Sequence, residues 1–173
     1  MAVNLRQTHY RFGVDELLES THGWLASEDV SPALIVPGTT FLLRFTEQET
    51  GGTAIANVDA QFEYRRNGGS WTSITTTSSV VKAVAAIPFT NGQACTKRLS
   101  GTGGWDTTDA GCTEDGTSGG SANDIAALGN SETECGLQIV NADVNGEDTI
   151  EFRITSVDTT IGYDVTPSIK VQK

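Results

Sequence analysis

The sequence predicts an all-β protein, a Greek-key antiparallel β-sandwich, and three observations carry that reading. Apolar residues recur with period two, the spacing of a strand with one buried face. The alternating runs are separated by Asn-Gly and Gly-rich turn chemistry. No apolar pattern of helical period runs beyond a turn or two; Asp15–Glu19 and Asn123–Leu128 are the only helix candidates.

Taken along the chain, the first strong strand is Thr39–Thr46, which places Phe41, Leu43 and Phe45 on one face. In the second, Val58, Ala60, Phe62 and Tyr64 alternate with Asp59, Gln61, Glu63 and Arg65. The segment Arg66-Asn67-Gly68-Gly69-Ser70 then predicts a hairpin into Trp71–Ile74, because Asn and Gly tolerate positive φ. Ser79–Ile87 reads as another extended run, and Thr133–Val140 as a strand closing on Leu137-Gln138-Ile139-Val140. Asn145-Gly146 turns the chain into the alternating Thr149–Ile154. After Gly162, Pro167 opens a last strand over Ser168–Val171, a position where no ladder donor is needed.

The chain is long enough for one ordinary domain. Residues 1–37 are expected to supply an N-terminal arm and the first strands, and residues 38–173 the sandwich body. Within the body, residues 100–131 form a Gly-rich loop with eight glycines, five acids and no bases. The net charge is −11, and the span from Leu99 to Phe152 holds eleven acids (Asp109 among them) and no Lys or Arg. That segment reads as a solvated, solubilising face, and its sign argues against nucleic-acid binding. No apolar run reaches membrane-spanning length, and Met1–Arg6 lacks the basic start and apolar stretch of a signal peptide, so a product made and kept in a cytoplasm, or released from one by lysis, is expected.

Cys95, Cys112 and Cys135 match no zinc spacing. Cys135 reads as a small core residue. Cys95 and Cys112 flank a loop and are free thiols by default, with a disulfide open to them under oxidising conditions. Gly116-Thr117-Ser118-Gly119-Gly120 has the form of a nucleophile elbow, but its context is polar and both histidines, His9 and His22, precede it, so the match is compositional. Asp106, Asp109, Glu114, Asp115 and Asp124 have no calcium-loop spacing, and a cation ordering the loop is the minor reading. His9 reads as a strand residue with a satisfied hydrogen bond. Trp71 is expected in the core or at a strand end. Trp105, alone in the Gly-rich loop, is a contact residue if exposed and a loop anchor if tucked in. No enzyme, metal or cofactor is expected.

Several stretches together resemble the Ig-like β-sandwich modules of tailed-phage virion proteins and some bacterial surface proteins. They are Gln7-Thr8-His9-Tyr10-Arg11-Phe12 with Trp24–Asp29, Phe41–Phe45, Thr50-Gly51-Gly52, Asn57-Val58, Phe62–Trp71, Glu132–Glu134, Leu137–Val140 and Thr166–Ile169. The likeness covers most of the chain outside the Gly-rich loop. It departs at Gly13-Val14-Asp15-Glu16, where such modules carry an Asn/Asp-rich turn. It implies an Ig-like fold and a virion or surface context. The expected role is a capsid decoration (cement) protein, assembled in the host cytoplasm, that sits on the outer surface of a tailed-phage head and bridges copies of the major capsid protein. Self-association is expected as well, with a homotrimer matching a capsid three-fold axis. Leu5, Tyr10, Phe12, Leu17, Leu18 and Trp24 are the expected anchors, together with Trp105. An Ig-like module recognising a glycan or host surface through the Trp105 loop is the main alternative, and a tail or neck component another.

Overall fold

The computed structural model describes residues 2–108, 110–118, 123–157 and 159–173. Among the described residues twelve strands follow one another: β1 (Leu5–Val14), β2 (Thr40–Glu49), β3 (Ile55–Val58), β4 (Ala60–Arg66), β5 (Thr72–Ser73), β6 (Val81–Ala83), β7 (Cys112–Thr113), β8 (Asn123–Ile125), β9 (Asn130–Ile139), β10 (Thr149–Ser156), β11 (Ile161–Tyr163) and β12 (Ser168–Lys170). A single 3-10 turn over Asn141–Asp143 is the helical content among the described residues. Neither expected helix is present: residues 15–19 form a loop, and Asn123–Ile125 is strand.

Two sheets make the sandwich. The larger runs β11-β1-β2-β9-β6, with β7 also on β9; the smaller runs β12-β10-β4-β5. A ribbon of β3 and β8 stands apart from both. The larger sheet is mixed rather than purely antiparallel, because β1 pairs β11 and β7 pairs β9 in parallel. Between the sheets, Phe12, Phe41 and Phe152 meet as a triad with centroids 6.0–6.2 Å apart. Phe45, Phe62, Leu137 and Ile154 extend this core, and Cys135 lies in it as expected. The Asn67-Gly68 turn has φ of 51° and 70°, and it pairs Tyr64 with Thr72. Trp71 lies outside the core, with the guanidiniums of Arg65 (4.8 Å) and Arg153 (4.3 Å) over its ring.

At the N-terminus the expected first strand is present, and the arm expected of the same segment is corrected. Leu5–Val14 is no arm: it lies between β2 and β11, in register with β2 from Leu5↔Glu49 to Val14↔Phe41 around a bulge at Gln7/His9. Leu5, Tyr10 and Phe12 accordingly point into the core, and side chains committed to the fold's own hydrophobic interior offer nothing to a partner. The Gly-rich segment also carries structure, contributing β7 and β8 and short bridges from Trp105 to Asn130 and from Thr117 to Gln61.

The acid-only span does not form one solvated face. Glu132 and Glu134 are buried against Arg44, Glu151 pairs with Arg65, Asp148 with Arg66 and Glu147 with Lys170. Antiparallel pairing brings acids from the second half of the chain onto bases from elsewhere in it, so separation along the sequence is cancelled in space.

Candidate functional site: an exposed apolar loop on a buried charge cluster

Strands β2 and β9 are buried on both faces. Phe41, Leu43 and Phe45 face the small sheet, which leaves Leu42, Arg44 and Thr46 on the outside, opposite Gly136, Glu134 and Glu132 in the ladder. Two loop systems, residues 15–25 and residues 84–108 with 110–118, cover that outer face. Under them lies a small second core of Leu42, Phe89, Cys95 and Cys112.

Next to this core is a fully buried guanidinium. Arg44 Nη1 donates to Glu132 Oε2 (2.7 Å) and to the Thr96 carbonyl (2.8 Å), and Nη2 donates to Glu134 Oε2 (2.6 Å) and to Glu19. His22 is buried as well, with Nε2 3.1 Å from Glu134 Oε1. Burial alone would raise the Glu134 carboxyl, but the Arg44 charge and the His22 hydrogen bond outweigh it and hold the group at about 2. At Glu132 burial wins, and the carboxyl is pushed up despite Arg44. Arg98 closes the cluster from above, donating to the carbonyls of Glu19 (2.8 Å) and His22 (2.7 Å). A cluster buried in this way fixes the loop above it.

That loop is the exposed feature. Glu19 and His22 reach down into the cluster, while Leu17 and Leu18, 61% and 67% exposed, point outward. Leu17 holds φ = 61°, a left-handed conformation that a non-glycine residue keeps only when its surroundings impose it. The imposition is visible. Glu19 accepts from the Thr96 amide (2.9 Å) and hydroxyl, and the Glu19 amide donates to the Pro88 carbonyl (3.0 Å). Gly13 lets the loop descend, since a Cβ there would come within 2.8 Å of the His22 ring. The Ile87 amide donates to Asp15 Oδ1 (2.6 Å), which ties the backbone at Ile87, itself 71% exposed, to the loop that carries the two leucines. Further along the same segment Leu25, Leu34 and Val36 are also exposed and line a groove of about 220 Å³ with Val14 and Phe41. Large apolar side chains gathered in this way mark contact surfaces, whereas scattered single ones do not.

Of the remaining candidates, Trp24 is half-buried and engaged within the chain. Arg98 and Arg11 lie over its ring at 4.2 and 4.7 Å, and His22 meets it edge-on. It is a spacer between the cluster and solvent, not a free anchor. Trp105 is tucked in: its ring packs beside Gly101, Lys97 lies 4.8 Å over it, and its buried indole N–H has no hydrogen-bond partner among the described residues. With Asp106, Thr108 and Asp124 it edges an open cavity of about 310 Å³.

The loop carboxylates hold backbone. Asp106 accepts from Thr108, Asp115 from Thr117, Glu114 from Ala86 and Asn91, and Asp124 from Asn57; Asp109 lies outside the described residues. Ser118 is buried, and its Oγ accepts the Ala60 amide at 2.8 Å. Gly119 and Gly120 of the same motif also lie outside the described residues. Among the described residues two groups of side chains have ligand atoms close enough to share a cation, Glu19/Cys95/Cys112 and His9/Glu28/Asp29. In the first, Glu19 is already bound by Arg44, whose charge opposes a cation. In the second, His9 Nδ1 is hydrogen-bonded to Asp29 Oδ2 at 2.7 Å, the satisfied strand histidine expected. Sequence reasoning missed Glu19, His22, Arg44 and Ile87. The available signal was an arginine in the middle of an apolar strand, at the centre of Leu42-Leu43-Arg44-Phe45.

Compared with known proteins, the chain matches no family model and no curated protein.

Proposed function

We propose that this chain is a structural attachment protein, a capsid decoration (cement) protein that holds to the outside of a tailed-phage head through the Leu17–Leu18–Ile87 surface. The observation that carries the reading is this apolar knob. It is held in a strained conformation by buried charges, an arrangement that costs folding free energy and whose return comes from a partner. The sandwich supplies a rigid base, the resemblance to phage Ig-like modules supplies the context, and the net negative charge disfavours nucleic acid as the partner. The partner in this reading is the major capsid protein. Many copies of one modest apolar contact then sum to a large stabilisation of the shell, with no catalytic step required.

The test is reconstruction of shells with and without the protein, repeated with a Leu17→Asp, Leu18→Asp variant. The wild-type chain is expected to add ordered density on the shell exterior, and the variant to lose it while keeping its β-sheet circular dichroism. Absence of added density with the wild-type chain would end the proposal.

A second reading has its own observation, the cavity edged by Trp105, Asp106 and Asp124, which offers an aromatic ring beside hydrogen-bonding groups as glycan sites do. Trp105→Ala abolishes glycan binding under that reading and leaves shell attachment intact under the first.

A further inference from the structure

The two loop systems over the large sheet meet at a pair of thiols. Cys95 lies in the 84–98 segment and Cys112 begins β7. The backbones around them are already paired: the Cys112 amide donates to the Gln93 carbonyl (2.9 Å), the Gly92 amide donates to the Cys112 carbonyl (2.9 Å), and Ala94 bridges Ala110. Both side chains are buried and turned toward each other, with Sγ atoms 2.6 Å apart. Gly111 permits the approach, since a Cβ there would stand 3.0 Å from the Cys95 sulfur. The third thiol is out of reach. Cys135 sits in the core between the sheets, on the opposite face of β9 from Glu134.

We propose that Cys95 and Cys112 are a cross-linking site: they form an intrachain disulfide by exchange with a small dialkyl disulfide of the glutathione type. In the first step the Cys95 thiolate attacks one sulfur of the reagent. A mixed disulfide forms, and the reagent's other half leaves as a thiolate that takes up the proton Cys95 gave. In the second step the Cys112 thiolate attacks the Cys95 sulfur and expels the remaining half, which takes up the proton from Cys112. Two protein thiols are oxidised by two electrons, and one reagent disulfide is reduced to two thiols. Because both sulfurs are buried, the exchange proceeds while the cover is open, during folding or local unfolding.

The bond would fasten the loop cover where it matters to the cluster beneath. Thr96, next to Cys95, holds Glu19, and the amides of Arg98 and Leu99 hold Glu132 at 2.8 and 2.7 Å. Cys112 is hydrogen-bonded into the sheet alongside Glu134. The chemistry does not depend on the partner proposed above, so failure of either leaves the other standing.

The experiment is refolding of the full chain in a reduced/oxidised glutathione buffer, followed by denaturation and thiol alkylation without reductant. Intact mass should show one alkylated cysteine, and peptide mapping should join Cys95 to Cys112. Mapping needs a Glu-specific protease beside trypsin, because no Lys or Arg separates Cys112 from Cys135. Reductant should lower the melting temperature of the oxidised wild type by about 5–10 °C and leave a Cys95→Ser, Cys112→Ser variant unmoved. Three alkylated thiols after oxidative refolding, or a link that includes Cys135, would overturn the proposal. The mass measurement stands on the wild-type chain alone if the double variant does not fold.

Discussion

Glu47 shows what a single carboxyl does when the fold gives it little to bind. It is buried, its Oε1 accepts from the Thr133 hydroxyl, and its Oε2 has no hydrogen-bond partner among the described residues. Burial pushes its pKa up from 4.5 to about 7, against a small opposing effect of the Thr133 hydroxyl. The folded state therefore prefers the protonated acid. The native state is unpenalised below pH 4.5, loses stability as the pH rises from there through 7, and levels off above it. The window corresponds to about 3 kcal/mol. Urea midpoints measured from pH 4 to 8 should fall across this window for the wild type. They should change much less for Glu47→Gln, which keeps the shape and removes the charge; parallel curves for the two proteins would show that Glu47 is not the titrating group. Two residues further along β2, Glu49 illustrates the opposite outcome. Burial would raise it, but the amides of Leu128, Asn4, Gly51 and Gly52 all donate to its carboxylate and hold it at about 2. Four backbone amides at Glu49 against a single hydroxyl at the more deeply set Glu47 separate the two residues.

At the scale of the element, the Glu19 carboxylate is a main tie of the loop from Asp15 to Trp24, beside the His22–Glu134 and Asp15–Ile87 contacts. Glu19 joins the loop to Arg44 below and to Thr96 beside it, so removing it frees the segment and leaves Arg44 with fewer counter-charges. Glu19→Ala should destabilise the protein by about 3 kcal/mol, within the range for breaking a buried ion pair. Its sharper signature is local: amides such as His22, which donates to the Leu18 carbonyl, should exchange hydrogen much faster, while those of the β4–β10 ladder follow only the global change. Uniform acceleration across all strands would show that the loop is not a separate unit. This loop is also where the sequence was least legible. Period-two runs such as Phe41–Phe45, Phe62–Tyr64 and Ile150–Ile154 gave strands close to those observed, and Asn67-Gly68 gave the hairpin, because alternation and turn chemistry are local properties. Leu5–Val14 has the same alternation, but its place inside a sheet depends on partners forty and one hundred and fifty residues away in β2 and β11. Likewise Arg44 reads as an outward-facing strand residue until the segment around Thr96 folds over it. Leu17 and Leu18 stayed visible as candidates, whereas Ile87 joins them only through the Asp15 contact.

The whole molecule combines a net charge of −11 with one surface rich in exposed apolar side chains, and the two features act on association in opposite directions. Mutual repulsion between like-charged copies opposes self-association at low salt, and burial of Leu17, Leu18 and Ile87 favours any contact that covers them, at roughly 1–3 kcal/mol for each side chain fully covered. Acids near the knob, Asp15 and Glu16, sharpen the conflict for a second copy and ease it for a partner with a basic rim. Light scattering behind a sizing column, run at low and at high salt, separates the cases. A closed trimer on a capsid three-fold axis predicts three times the chain's 18.3 kDa at both salt concentrations. A knob reserved for the shell predicts the single-chain mass at low salt and at most weak, concentration-dependent growth when salt screens the repulsion. In the first case Leu17→Asp, Leu18→Asp either breaks the trimer, which makes the knob the interface between copies, or leaves it intact, which frees the knob for the capsid. In the second case the same variant should stay monomeric at every salt concentration and fail only on the shell, so one pair of substitutions assigns the apolar surface to a copy of itself or to another protein.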